Sequence, residues 1–462
     1  MAGGEMLSSI FNQNEYSTAA MRAVWTDESR LRCICRCETA LAQAMASQQL
    51  IPAAAAQEIA QVLQPKTFNL RKLRLSVARR GHYLAGLMAY VQPRFQNGGE
   101  QYLHQGAASE DIEDTAYVLQ LQAAHPILIR YLEIVIKRLA QLTRRYQSSL
   151  TACVTHRIYG SYTTLGFKLG IFLNEYEHLL TALEKQTQQT FCGSLANADG
   201  LSQMIGPQYQ AVEAKFCELL GLGVPEMYWH TQRERFVDYT HLVTEIAQVG
   251  GRLGQELLYM SQTLVREFQE PYAPERQGST VIPTSRCPYL CESVVNLSKV
   301  IRNEMTLMYE QMQVHGDKDT TVWRNLYVAL PEIMMYLSGQ LNYLGTLLNK
   351  GQFNLEQMRA NLDRDDGTMY SGAIMNALTP HVGRRQAHAY LYQARLTAEA
   401  QGISLRTSIL QSPEITQVLS AEQLTDIMTP QVERIPNAVT KVDQILQLFQ
   451  EHHQQLFQEV FN

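Results

Sequence analysis

Apolar residues recur at helical spacing over long stretches, and this limits the folds open to the chain more than any other feature. Leu128, Leu132, Val135, Leu139 and Leu142 follow one another at alternating steps of four and three, with Arg130, Glu133, Lys137 and Arg138 on the other faces. That is the period of a helix with one apolar side. The pattern returns in Leu242, Ile246, Val249, Leu253, Leu257, Met260 and Leu264, and again in Ile333, Leu337, Leu341, Leu344 and Leu348. Alternating Val, Ile and Thr bounded by turn residues is nearly absent, which argues against a sheet-based domain. The expected class is all-α, built on long bundle helices. Stripes this wide exceed what one bundle covers, so association beyond the monomer is expected.

Breaks in the pattern suggest the divisions. Gln96-Asn97-Gly98-Gly99-Glu100 precedes one long helix, and Asn361-Leu362-Asp363-Arg364-Asp365-Asp366-Gly367 follows the last. The expected parts are an N-terminal helical domain over 1–112, a central bundle over 113–362 and a C-terminal helical domain over 363–462. At 462 residues and 45% hydrophobic, the chain has enough apolar surface for several such parts. A net charge of -5 with interspersed signs gives no concentrated basic face for nucleic acid. No apolar run approaches the roughly 20 residues of a membrane span, and the first residues lack a signal-like pattern, so a soluble cytoplasmic protein is expected.

Eight cysteines in so long a chain are expected to be reduced thiols. Cys33 and Cys37 share a face of a helix-like segment, Leu31 to Met45, with Cys35 opposite. That geometry suits small core hydrophobes better than one metal. Cys287 and Cys291, flanking Pro288, are also expected to be inert.

Three stretches carry residues suited to proton chemistry. The first is Gly278-Ser279-Thr280-Val281-Ile282-Pro283-Thr284-Ser285-Arg286-Cys287-Pro288, with Glu292 five residues after Cys287. The second is Thr155-His156 within Thr155-His156-Arg157-Ile158-Tyr159-Gly160-Ser161-Tyr162-Thr163-Thr164-Leu165-Gly166. The third is His104-Gln105-Gly106-Ala107-Ala108-Ser109-Glu110-Asp111-Ile112. Taken alone, Ser279 would be expected to satisfy its own loop backbone, and one histidine among twelve to be surface or structural.

Together these stretches resemble the fumarase/aspartase superfamily, whose signature loop reads Gly-Ser-Ser-x-Met-Pro-x-Lys-x-Asn-Pro and closes over the substrate. Tyr16 through Pro52, including Met21-Arg22-Ala23-Val24-Trp25-Thr26-Asp27-Glu28, is similar to the opening of the adenylosuccinate lyase and 3-carboxy-cis,cis-muconate cycloisomerase branch. Ala373-Ile374-Met375-Asn376-Ala377-Leu378-Thr379-Pro380-His381, Ser412-Pro413-Glu414-Ile415, and Trp323 with Ala329-Leu330-Pro331-Glu332 lean toward the cycloisomerase-like members. Thr18 stands where the purine enzymes place an arginine, which speaks against a purine role.

The resemblance implies a β-elimination or its reverse, in which a base takes a proton beside a carboxylate and an acid protonates the leaving atom from the opposite face. It implies Ser279 as base, His156 as general acid and Glu292 as the carboxylate that orients the imidazole and favours its protonated form. Thr155, Thr280, His104, Ser109 and His82 are implied substrate-binding residues, beside a signature loop spanning 270–292, and Arg286 is expected to replace the missing cation if the loop re-registers by one residue. It further implies a homotetramer whose core is a multi-helix bundle and whose sites are shared between subunits, a small-molecule substrate, and no metal or organic cofactor.

The departures lie on the substrate grip. Ser285 and Cys287 stand at the lysine and asparagine positions, Ala108 at a threonine and Ile158 at a glutamine. One donor aimed at developing charge is worth about 3 kcal/mol, so the parent reaction would not survive these losses without another way to bind substrate. Three readings follow: a lyase cleaving a C–N, C–O or C–S bond of a modified carboxylate in specialised metabolism; a muconate-type cycloisomerase; or a non-catalytic structural or regulatory relative. Retention of base, acid and acid-orienting carboxylate places the lyase first.

Overall fold

A computed structural model of the chain describes residues 9–273, 275 and 279–461. The all-α expectation is borne out: the chain is 70% helical, and among the described residues the strands form only short two-stranded pairs. The three apolar stripes fall on the helices Ser109–Arg145, Glu234–Met260 and Asn325–Lys350. Leu128, Leu132, Val135 and Leu139 are fully buried, as are Ile333, Leu337, Leu341 and Leu344.

One stripe stops sooner than its spacing predicts. Its helix ends at Met260, and Leu264 is 85% exposed. Ser261 Oγ donates to the Leu257 carbonyl, and Val265 and Arg266 N–H both turn back to the Gln262 carbonyl, so a turn replaces the next helical step.

Contacts divide the chain into two units: residues 1–132, 178–252 and 293–344 in the first, and 133–177, 253–292 and 345–462 in the second. In the first unit, helix Asp27–Ser47 begins at Thr26, whose Oγ1 accepts from Ser29 N–H at 3.2 Å, with Asp27 and Glu28 in the dipole-favoured first turn. Cys33, Cys35 and Cys37 are all buried, because this helix is covered on opposite faces, and they serve as core. Burial pushes the Cys35 thiol up to about 12, which keeps it protonated and inert.

The same unit ties its segments together through buried polar groups. Thr18 caps Ala19–Val24 and donates to Ser338 Oγ at 3.3 Å. Asp114 is fully buried and accepts from Arg233 Nη2 at 2.9 Å, Trp323 Nε1 at 2.8 Å and Tyr327 OH at 3.2 Å. A buried carboxylate needs such a full set of donors to offset its desolvation.

In the second unit, a hairpin of Leu150–Thr155 and Ile158–Thr164 pairs antiparallel, with a register shift between Cys153 and Val154. Its base packs into a cluster containing Ala152, Leu362, Tyr370, Ile374, Leu391 and Ile409. A second short pair, Phe268–Gln269 with Gln352–Phe353, fixes the chain where it enters the signature loop. No helix among the described residues is long and apolar enough to cross a membrane.

Candidate active site

Within the signature loop, residues 274 and 276–278, Gly278 among them, lie outside the described residues. Ser279 is half-buried, and its Oγ accepts from the backbone N–H of Ile282 at 3.0 Å and Val281 at 3.2 Å. This is the local turn expected of a serine taken alone, yet it also suits a base. Both partners donate, so both bonds strengthen as the oxygen loses its proton. Thr280 beside it is exposed. Further along, Ser285 Oγ lies 3.6 Å from Cys287 Sγ, and the exposed Arg286 guanidinium stacks over the Tyr272 ring at 4.4 Å.

The loop's two ends are joined by Glu270. Its Oε2 accepts from Leu290 N–H at 3.0 Å and Cys291 N–H at 3.3 Å, capping the helix Tyr289–Glu310. Burial, followed by the Glu270 charge, raises the Cys291 thiol, so this buried cysteine is inert as expected. Glu292 sits in the same first turn and is exposed.

Thr155 and His156 reach the site differently from what helix-dominated patterning suggests, because they lie at the tip of the hairpin. Thr155 pairs with Ile158, leaving His156 and Arg157 as a two-residue turn. Such a turn needs positive φ at both central positions, and His156 at 49° and Arg157 at 68° supply it. All four residues from Thr155 to Ile158 are exposed. Gly160 matters here: a Cβ at that position would stand 2.3 Å from Thr155 Oγ1.

The third stretch lies in the first unit. His104, at φ 64°, directs Nδ1 to Glu38 Oε1 at 2.8 Å. Burial works against its charged form, but the Glu38 carboxylate outweighs it, with Asp111 and Glu110 adding to the effect, and the imidazole is raised above its ordinary value. Ser109 opens helix Ser109–Arg145 and is half-buried. Asp111 is fully buried and accepts from the backbone N–H of Ala108 at 2.8 Å, Ala196 at 2.9 Å and Asn197 at 3.0 Å, and from Ser194 Oγ at 3.2 Å. His230 Nε2 stands 3.1 Å from it. The Ala108 contact is one half of a capping box whose other half needs the hydroxyl that alanine lacks. His82 caps Tyr83–Val91 through Nδ1, stacks on Tyr83 and places Nε2 3.7 Å from Glu113 Oε1.

Within one chain, the structure brings Thr155 and His156 together on one turn, and Ser279, Thr280 and Arg286 together on one loop. Among the described residues, no hydrogen bond, ion pair or ring contact joins Ser279, His156 and Glu292 to one another. Two residues that sequence reasoning missed as site residues are Glu38 and Glu270, which hold His104 and the loop ends. Glu38 carries one available signal, a carboxylate in an otherwise small and apolar helix stretch. Glu270 carries none.

The helical scaffold presents a donor-flanked serine on a loop and a histidine on a hairpin tip. Residues 12–302 match the family model described as Lyase, and residues 367–444 match the adenylosuccinate lyase C-terminus. The chain belongs to the fumarase/aspartase superfamily and is an enzyme of the lyase class. It is 31% identical to an N-acetyl-S-(2-succino)cysteine lyase of Dickeya dadantii, covering 94% of this chain and 95% of that one. A second enzyme of that name, from Enterococcus italicus, is 30% identical over 97% of this chain and 98% of its own length. Among solved structures, a 3-carboxy-cis,cis-muconate lactonizing enzyme of Pseudomonas putida superposes with a TM-score of 0.85 at 25% identity, covering 96% of this chain and 98% of that one.

Proposed function

We propose that this enzyme is a succinyl-thioether lyase, which breaks the C–S bond of a succinylated thiol and releases fumarate and the free thiol. The observation that carries the elimination is the pair of backbone donors on Ser279 Oγ. Similarity over nearly the whole chain to two lyases named for a succinylated cysteine supports sulfur as the leaving atom.

In this reaction the Ser279 alkoxide takes a proton from the succinyl carbon next to the one bearing sulfur. The freed electron pair becomes the carbon–carbon double bond, the C–S bond breaks, and His156 gives its proton to the departing sulfur. A thiolate near its ordinary pKa of about 8.5 is a far better leaving group than an amide or alkoxide, so the demand on the acid is modest. That fits an acid on an exposed turn with no carboxylate partner among the described residues of its own chain.

The same proposal includes a homotetramer in which Glu292 of one subunit orients His156 of another, and the three-part division at 112 and 362. His104, Ser109, Thr155, Thr280, Arg286 and His82 are assigned to substrate binding on it. All eight cysteines are free, which fits a cytoplasmic setting, to be checked by cell fractionation. Mixing inactive Ser279→Ala and His156→Gln subunits is expected to restore about a quarter of the activity if each site draws the two residues from different chains. No restoration would place both residues in one chain.

The direct test follows fumarate absorbance with wild type and Ser279→Ala across succinyl thioethers, succinyl amines and carboxymuconate. Thioether cleavage that falls at least ~10³-fold in Ser279→Ala is expected. Turnover of carboxymuconate alone would instead favour a cycloisomerase, which uses the same base and acid.

A further inference from the structure

The second unit holds a cavity of about 830 Å³ that the chemistry above does not use. Arg157, Ile158 and Tyr159, the three residues that follow His156, form one wall, and the C-terminal helices Ser371–Val382 and Arg384–Gln401 supply much of the rest. The volume exceeds what a bound water cluster needs and lies in the range of small-molecule sites.

Its lining has a definite chemistry. Met375, Leu391 and Leu405 make an apolar floor, while three arginines against two aspartates leave one positive charge over. Most of those charges are already engaged. Arg395 pairs with Asp366 and Glu399, Arg364 donates to the Asn361 side-chain oxygen, and Asp365 accepts from Gly367 and Met369 N–H. The side chains of Arg157 and His388 make no hydrogen bond or ion pair among the described residues. The free capacity of the cavity is therefore cationic, above an apolar floor.

Position links the cavity to the reaction. Arg157 shares its two-residue turn with His156, and consecutive Cα atoms lie about 3.8 Å apart. A leaving group protonated by His156 is released beside the turn whose second residue, Arg157, lines the cavity. We infer that this cavity is the leaving-group subsite and takes thiols bearing a carboxylate and a short apolar acyl group, with Arg157 as its specificity-determining residue and His388 as a second contact. The inference rests on the succinyl-thioether reading for the identity of the ligand, and on the cavity alone for its chemistry.

A matched pair of substrates tests it: the S-succinyl thioethers of N-acetylcysteine and of N-acetylcysteamine, which differ only by the carboxylate. Wild type is expected to favour the first. The ratio of the two kcat/KM values is expected to fall about tenfold in Arg157→Gln, further in Arg157→Glu, and about threefold in His388→Gln, chiefly through KM, as for loss of a charge-assisted contact that is partly open to water. An unchanged ratio in Arg157→Glu would overturn the assignment. If wild type cleaves neither thioether, the functional reading fails, and calorimetric titration with N-acetylcysteine itself decides the cavity. Binding that is lost in Arg157→Glu upholds the subsite, whereas no binding to wild type, or equal binding to both, rejects it.

Discussion

Two sets of polar residues, one from each unit, are treated in opposite ways. In the first unit, Asp111 and Asp114 are completely buried and each meets three or more donors. In the second, His156, Glu292 and Arg157 are exposed, and their side chains make no hydrogen bond or ion pair among the described residues. Residues that belong to one superfamily pattern have thus been given separate tasks. The two aspartates hold the chain together, whereas His156, Glu292 and Arg157 keep free bonding capacity.

The largest break in that contrast should come from Asp111→Ala. It leaves three backbone N–H groups, a serine hydroxyl and His230 without their common acceptor, and removing one side of a buried polar network costs about 3–5 kcal/mol. A marked fall in melting temperature at fixed protein concentration, or loss of soluble protein, is the expected result. Ser279→Ala should melt with wild type, because its serine holds only its own turn. A stable but inactive Asp111→Ala protein would move Asp111 out of the scaffold and into the chemistry.

The long helices are legible in the sequence because an apolar period of 3.6 residues, sustained over about four turns or more, suits neither a strand nor a loop. Their ends are less so, and the stripe that continues to Leu264 overruns a turn set by local bonds. The hairpin escapes sequence patterning for a specific reason. His156-Arg157 lacks the Asn-Gly signal of a two-residue turn, and the paired strands are set by register rather than by apolar alternation. Family resemblance supplies the candidate base, acid and acid-orienting carboxylate, but not Glu38 or Glu270. Glu38 lies 66 residues from His104 along the chain, and Glu270 lies 20 residues from Leu290. Such partnerships are tertiary, and no local pattern encodes them.

Glu113 offers a smaller and pH-dependent test on the buried side of the comparison. Burial raises its carboxyl to about 7, with Tyr83 and Arg30 pulling it back and Asp114 and Glu110 pushing it up. The folded state therefore holds a proton between about 4.5 and 7 that the unfolded chain has released, so the group's contribution falls as pH rises through that window. Glu113→Gln should match wild type near pH 4.5 and exceed it by about 3 kcal/mol at pH 8, measured by denaturant melts. Equal stability at both pH values would mean that the buried carboxylate is better compensated than its neighbours indicate.

The smallest effect should have the opposite sign on stability and activity. Arg157 holds φ at 68° on an exposed turn whose other central residue, His156, holds 49°. A side chain in that region is strained by about 1 kcal/mol, whereas glycine is not, and a two-residue turn of this type prefers glycine second. Arg157→Gly should therefore stabilise the hairpin by up to about 1 kcal/mol, even after the entropy that glycine adds to the unfolded chain is counted. The same change removes the free cation from the cavity wall, so carboxylate-bearing substrates should bind less well. Higher thermal stability together with a raised KM would show that the exposed turn keeps a costly residue for its charge. Lower stability would mean that the arginine packs against the hairpin, and the contrast between a saturated scaffold and an open, strained site would then fail at its sharpest point.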